Sequence, residues 1–330
     1  MTKTILTGIK PTGTAHIGNY FGAIKPAINL ANSEDSQCFY FIADYHAMTT
    51  VKNKQELKDN SFKIACIWLA CGLDPNKVTL YRQSDVPQVC ELSWILSCVT
   101  PKGLLNRAHA YKNIVEKNKE CGSEEDDGVN MGIFNYPILM ASDIVLLNSN
   151  SVPVGKDQLQ HIEIARDIVK VFNKTFGNTL VMPNAIVEKQ QATILGTDGR
   201  KMSKSYGNII PIICEPNQLQ KLIARIVTDS SLPNQPKDTN CTIFNLYKLF
   251  ASEQEIVGFE NEFKKGISWA DAKKTLFEKM NSVFQPIREK YSYYVNNPQI
   301  VEQILLKGAQ KVKPIAEDTI KRVKLAVGLT

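Results

Sequence analysis

The sequence predicts an α/β fold: a parallel sheet covered on both faces by helices, followed by an α-helical domain. Three observations lead there. Up to about residue 190, short apolar segments alternate with amphipathic ones, and near-continuous apolar strands belong to parallel sheets buried on both faces. A Gly/Pro/Thr turn joins the first strand to the first helical stretch. From 242 to 326 the apolar spacing is almost wholly helical.

The first strand is 3–8, Lys3-Thr-Ile-Leu-Thr-Gly8. The turn that follows leads into a helix over 19–31. Further strands fall at 38–43, 78–82 and 151–155, and helices at 54–71, 88–98, 134–147 and 157–173. Residues 101–130 are polar and irregular, and the acidic run 120–128 reads as a solvated loop. Pro216 opens a helical stretch to about 228, and a polar turn covers 229–238. Ser268 with Asp271 has the spacing of a capping box, and Pro298 suits the first residue of a last helix. No internal repeat or low-complexity tract is visible.

A chain of 330 residues can bury a sizeable core and suits two domains. Hydrophobic residues make up 43% and charged residues 22%, ordinary values for a globular protein. The net charge of +6 suits a polyanionic partner without establishing one. No apolar run reaches membrane-spanning length, and the first residues enter a strand. No signal peptide, no membrane association and a cytoplasmic location are therefore expected. The eight cysteines include no Cys-x-x-Cys pair, and several lie in apolar runs, so buried free thiols are expected. His16, His46, His109 and His161 lack metal-ligand spacing, and no protein metal site is predicted.

The segment Lys201-Met-Ser-Lys-Ser205 carries the most chemical information. It follows Gly196-Thr-Asp-Gly-Arg200 and precedes Tyr206-Gly-Asn208. Two lysines among small hydroxyl residues, flanked by glycines, suit a mobile loop that brings positive charge to a polyphosphate. Alone, such a cluster reads as a solvated basic loop. It has a counterpart in His16-Ile-Gly-Asn19, at the start of a helix that follows a strand. Free N–H groups and the helix dipole favour an anion there, and Gly18 permits close approach. His16, Asp44-Tyr-His46 and the turn at 154–158 all follow strand candidates, so the sheet could gather them at one edge. Other phosphate motifs fail. Thr14-Ala15 replaces the Lys-Ser/Thr pair of a Walker A loop, and Gly-x-Gly-x-x-Gly is absent.

The pair of motifs resembles the HIGH-type and KMSKS-type signatures of class I aminoacyl-tRNA synthetases. Further segments are similar to bacterial tryptophanyl-tRNA synthetases in particular. They are Thr7-Gly-Ile-Lys-Pro-Thr-Gly-Thr-Ala-His-Ile-Gly-Asn-Tyr-Phe-Gly-Ala-Ile24, Ala43-Asp-Tyr-His-Ala-Met48, Tyr136-Pro-Ile-Leu-Met-Ala-Ser-Asp-Ile144, Val152-Pro-Val-Gly-Lys-Asp-Gln-Leu-Gln-His-Ile-Glu163 and Arg225-Ile-Val-Thr-Asp-Ser230. The resemblance runs from Ile5 to Leu329. It implies a Rossmann-like catalytic domain over 1–200, with a connecting insertion at 101–130. It also implies a mobile loop over 201–210 and an α-helical anticodon-binding domain over 211–330. The implied reaction activates L-tryptophan with ATP, assisted by Mg2+ held mainly by phosphate and water, and then charges tRNA(Trp). A homodimer is implied by the family alone.

Carried over by position, the resemblance places tryptophan among Leu6, Gly8, His46, Tyr136 and Met140, with Asp143, Ile144, Val152, Val154 and Gln158 completing the pocket. Tyr136, Met140 and Asp143 fall at i, i+4 and i+7, on one helix face. Asp143 would accept a hydrogen bond from the donor-only indole N–H. Tyr136 and Gln158 would hold the ammonium. ATP would meet Lys10, Thr12, His16, Gly18 and Asn19 on the first motif, and Gly155, Asp157 and Gln158 on the later turn. Met202 and Ser203 would close over it, with Lys201 and Lys204 on the pyrophosphate. Lys10, His16, Lys201 and Lys204 would be the catalytic groups, acting by alignment and charge stabilisation without a protein nucleophile. The sequence departs from the family pattern at Lys10, where many relatives have glutamine, and at Lys156, where they have glutamate. Ile114 falls where they have a phosphate-facing lysine, with Lys112 nearby. Lysines and arginines of the last helix, such as Lys311, Lys313, Lys321 and Arg322, are candidates for tRNA contact. The alternatives are a tyrosyl-tRNA synthetase and a catalytically inactive RNA-binding paralogue.

Overall fold

The computed structural model describes residues 3–32, 36–155, 158–187 and 193–329. Its five-stranded sheet is parallel throughout and comprises β1 (Lys3–Ile9), β2 (Ser36–Ile42), β3 (Val78–Arg82), β4 (Ser151–Val154) and β5 (Asn184–Val187), in the order β3-β2-β1-β4-β5. β1 pairs with β2 along its whole length, from Lys3 against Ser36 to Ile9 against Ile42. The strand order reverses between β1 and β4. A crevice opens beyond the carboxyl ends of strands at such a point.

Helices fill the crossovers. α1 (Ile17–Asn19) runs through a π-helical segment (Tyr20–Ile24) into α2 (Lys25–Ala31). α3 (Asp44–Ala47) and α4 (Lys54–Ala70) follow β2. α5 (Gln88–Ser97), α6 (Lys102–Leu105), α7 (His109–Cys121) and α8 (Met131–Leu146) lead from β3 to β4, and α9 (Leu159–Phe176) leads to β5. The rest of the chain is α10 (Pro216–Ala224), α11 (Thr242–Phe250), α12 (Glu253–Lys265), α13 (Trp269–Asn296) and α14 (Pro298–Val327).

Strand alternation divides the core. Ile5, Cys38, Tyr40, Ile42, Val78 and Leu80 face one cluster, which continues into α4, α11, α12 and α13. Leu6, Phe39, Phe41, Tyr81 and Val152 face the other, with α5, α8, α9 and α14. The sheet and the helical part thus share one apolar layer. α14 runs back against β3 and α5. Gly308 makes that approach possible, because a Cβ there would lie 1.8 Å from the Leu80 carbonyl oxygen. Arg82 closes the seam with a two-pronged bond to Glu302 at 3.2 and 2.5 Å. Arg322 donates to the Thr179 carbonyl and to Asn148 Oδ1, which ties this tRNA-contact candidate to the sheet-bearing part of the chain.

The predicted α/β fold is present, with four corrections. The helix expected over 19–31 starts at Ile17 and carries the π segment. Residues 101–130 are largely helical rather than irregular. α7 buries none of its residues, so it has no apolar stripe for a periodicity argument to detect. β5 escapes the sequence reading because it is only four residues long and none of them is buried. Among the eight cysteines, all unpaired, Cys90, Cys98 and Cys121 are exposed rather than buried. The predicted Ser268 cap is present, with its hydroxyl accepting from the Asp271 N–H at 3.0 Å.

Candidate active site

A cavity of about 650 Å³ opens at the switch point between β1 and β4. Its deep part is built on regular elements. β1 supplies Leu6 and Gly8, β4 supplies Val152 and Val154, and α8 supplies Tyr136, Met140, Asp143 and Ile144. His46 on α3 and Gln158 at the start of α9 complete the set predicted for the amino acid. Gly8 is required by packing, since a Cβ there would lie 2.5 Å from the Phe41 ring.

Asp143 is 4% exposed, and burial pushes its carboxyl above the usual carboxylate range. Two donors oppose that shift. Gln83 Nε2 donates to Oδ1 at 2.8 Å, and His46 Nε2 lies 2.9 Å from Oδ2. An ionised carboxylate can only accept, so this contact places a proton on His46 Nε2. α3, which carries His46, is itself pinned: Asp44 Oδ1 accepts from the N–H groups of Tyr45 and Ser84, both at 3.0 Å. That bond links the chain after β2 to the chain after β3. Gln83, 1% exposed, was missed by the sequence reading. The available signal is its position directly after the carboxyl end of β3.

The other end of the cavity is made by loops. Lys10 and Gly155 line it together with Ile114. Lys10 Nζ donates to Thr49 Oγ1 at 2.9 Å, and burial lowers its pKa. The chain after the lysine loop pairs with the first motif: Ile17 N–H donates to the Ile210 carbonyl at 3.0 Å and Ile212 N–H to Ala15 at 3.1 Å. This brings the ammonium of Lys204 onto the Thr12 carbonyl, beside Gly13. His16 is buried, and desolvation together with the Lys204 charge depresses its pKa to about 4. Among the described residues its Nδ1 has no partner. Gly18 packs on the His16 ring, where a Cβ would approach to 2.8 Å. Asn19 Oδ1 turns back to accept from the His16 N–H at 3.1 Å.

The lysine loop hangs on a buried residue that the sequence reading did not single out as functional. Asn208 Oδ1 accepts from Ser203 N–H at 2.8 Å, while its Nδ2 donates to Asp198 Oδ1 at 2.7 Å and to the Lys201 carbonyl at 3.1 Å. Met202 faces the apolar core and is 5% exposed, so it does not line the cavity as the expected cover of the nucleotide. Lys201 and Ser203 sit on the same loop, Lys201 exposed. Asp157 and Lys156 lie outside the described residues.

The geometry combines a buried acceptor in an apolar slot with a cationic, helix-start end. The chain matches the family described as tRNA synthetases class I (W and Y) over residues 2–285. It is 48% identical to the Tryptophan--tRNA ligase of Pseudomonas aeruginosa, over all of this chain and 74% of that protein. The chain belongs to the bacterial tryptophanyl-tRNA synthetases. Among solved structures of the family, the Campylobacter jejuni enzyme complexed with ADP and tryptophan has a TM-score of 0.91 at 44% identity, covering 98% of this chain and 99% of that one. The Mycoplasma pneumoniae enzyme has a TM-score of 0.82 at 28% identity, over 100% and 99%. A tyrosyl-tRNA synthetase from Archaeoglobus fulgidus, 17% identical, shares the fold, with a TM-score of 0.65.

Proposed function

We propose that this chain activates L-tryptophan with ATP, releasing pyrophosphate, and transfers tryptophan from the adenylate to tRNA(Trp). The observation that carries the reading is the cavity's polarity. An acceptor, Asp143, is fixed at the apolar end, Lys10 lines the cavity, and Lys204 reaches the Thr12 carbonyl on the first motif. Asp143 accepts the indole N–H, and Tyr136 with Gln158 holds the ammonium. The substrate carboxylate is thereby presented to the α-phosphate of ATP at the mouth. Lys10, Lys201, Lys204 and the neutral His16 act on the phosphates, with Thr12, Gly18, Asn19, Gly155 and Ser203 around the nucleotide. Charge moves onto the leaving pyrophosphate, so fixed cations lower the barrier without a covalent intermediate.

Magnesium accompanies the ATP. Among the described residues the cavity offers one carboxylate, Asp143, already bonded to two donors, which suits an ion held by phosphate and water. The helical part over 211–330 binds the anticodon stem. The enzyme works in the cytoplasm as a homodimer. Pyrophosphate exchange tests the reading. Exchange dependent on tryptophan supports it, dependence on tyrosine would favour a tyrosyl enzyme, and no exchange would favour a paralogue that only binds RNA.

A further inference from the structure

The cavity has an unusual charge problem at its ammonium end. Among the described residues its sole carboxylate is Asp143, which is held by His46 and Gln83 at the indole end. The acceptors that the described residues offer the substrate ammonium, Tyr136 and Gln158, are neutral. A phenol hydroxyl is a poor choice if its own proton points at the cation, so the direction of that proton matters.

Tyr136 has a partner that can set it. His161, in the first turn of α9 and 5% exposed, places Nε2 at 2.5 Å from the Tyr136 hydroxyl oxygen, and Nδ1 at 3.3 Å. The two rings meet edge to face with centroids 5.1 Å apart. Burial pushes the Tyr136 phenol up to about 12, so it stays neutral and keeps its proton. A neutral imidazole has one donor and one acceptor nitrogen. If Nε2 is the acceptor, the phenol spends its only proton on His161, and its lone pairs are left for the cavity.

We propose that His161 is a positioning residue for tryptophan: its Nε2 accepts the Tyr136 O–H and turns the phenol oxygen into a pure acceptor for the substrate ammonium. The inference rests on the tryptophan reading above and extends it to a residue that touches no substrate. Its position supports the role, since α9 starts just after Gln158, the other proposed ammonium ligand. One turn of helix therefore carries one ammonium ligand and the orienter of the second.

The test uses the full-length enzyme and two ligands. Tryptophan has the ammonium; indole-3-propionate keeps the indole and the carboxylate but lacks it. His161→Asn leaves a polar atom only near the position of Nδ1, 3.3 Å from the phenol oxygen instead of 2.5 Å, and His161→Gln restores an acceptor near the position of Nε2. His161→Asn should raise the Kd and KM for tryptophan by about tenfold or more, the scale of one hydrogen bond to a charged group. It should leave the Kd of indole-3-propionate within about twofold. His161→Gln should recover most of the loss, and Tyr136→Phe combined with His161→Asn should be little worse than Tyr136→Phe alone. Equal weakening of both ligands would assign His161 to packing only and overturn the proposal, as would unchanged tryptophan affinity. Absence of tryptophan-dependent exchange in the unaltered enzyme would instead overturn the functional reading.

Discussion

Replacing Asp143 should separate indole recognition from general packing. In Asp143→Asn the shape is kept, but one oxygen becomes an NH2 group. Because Gln83 donates to Oδ1 and His46 to Oδ2, either orientation of the amide sets one donor against another until Gln83 turns its own amide or His46 shifts its proton to Nδ1. A buried polar group left unpaired costs about 1–3 kcal/mol, which sets the upper scale of the conflict. The amide can recover one good contact by turning its oxygen to the remaining donor, which weakens its offer to the indole N–H. A loss of about 1–3 kcal/mol in tryptophan binding corresponds to roughly 5- to 150-fold. In Asp143→Ala the indole loses its acceptor altogether. The informative assay compares tryptophan with β-(3-benzothienyl)alanine, in which sulfur replaces the N–H and shape is nearly constant. The unaltered enzyme should prefer tryptophan in pyrophosphate exchange, and Asp143→Ala should bring the two kcat/KM values close together. If the preference for tryptophan over the sulfur isostere survives in Asp143→Ala, the indole acceptor lies elsewhere.

Three further outcomes are expected. Lys204→Ala and Lys201→Ala should each lower kcat for adenylate formation by about 10²- to 10³-fold with little change in the KM for tryptophan, and unaltered kcat in both would remove the loop from the mechanism. Lys10→Gln should slow exchange about tenfold and Ile114→Lys should restore part of the rate, because both positions line the same cavity end; wild-type kinetics in Lys10→Gln would refute the substitution of one cation for the other. The folded-state pKa of His16, about 4, lies below its ordinary 6.5, so the unfolded chain binds the extra proton as pH falls through that window. Stability gained above 6.5 should therefore drain away towards pH 4, by about 2–3 kcal/mol, and His16→Gln should show a shallower acid slope in denaturant titrations; parallel slopes would count against the buried neutral imidazole.

Much of the sheet was legible because parallel strands leave near-continuous apolar runs. β3 falls on the predicted 78–82, and β1 and β4 end within one residue of their predicted limits. The pocket face of α8 was visible as the spacing of Tyr136, Met140 and Asp143, which the structure gathers on one cavity. What failed had no local signature. α7 lacks a buried stripe, and β5 is short and unburied. The role of Gln83 depends on a bond to a residue 60 positions away. Met202 looked available to a ligand because it sits between polar loop residues, yet its side chain is drawn into the core while its backbone N–H bonds to Ile194 at 2.8 Å. A motif states which residues travel together; it does not say which of them turn inward.

The two ends of the cavity are built on different principles. The indole end is preorganised: Asp143 has both oxygens bonded, and Asp44 pins the neighbouring turn to Ser84. The carboxylate's donors are in place before any ligand arrives. The phosphate end is not matched. Lys10 and Lys204 are exposed residues, but neighbouring groups desolvate part of each ammonium, which lowers both pKa values. Their described partners are neutral oxygens, Thr49 Oγ1 for one and the Thr12 carbonyl for the other. A cation stripped of part of its hydration and given only a neutral acceptor is under-compensated. A triphosphate supplies the missing negative charge, and the developing charge on pyrophosphate supplies more of it in the transition state than in the ground state. That shortfall in compensation is thereby relieved most as the bond to the α-phosphorus exchanges, which is the condition for a binding group to raise kcat rather than lower KM.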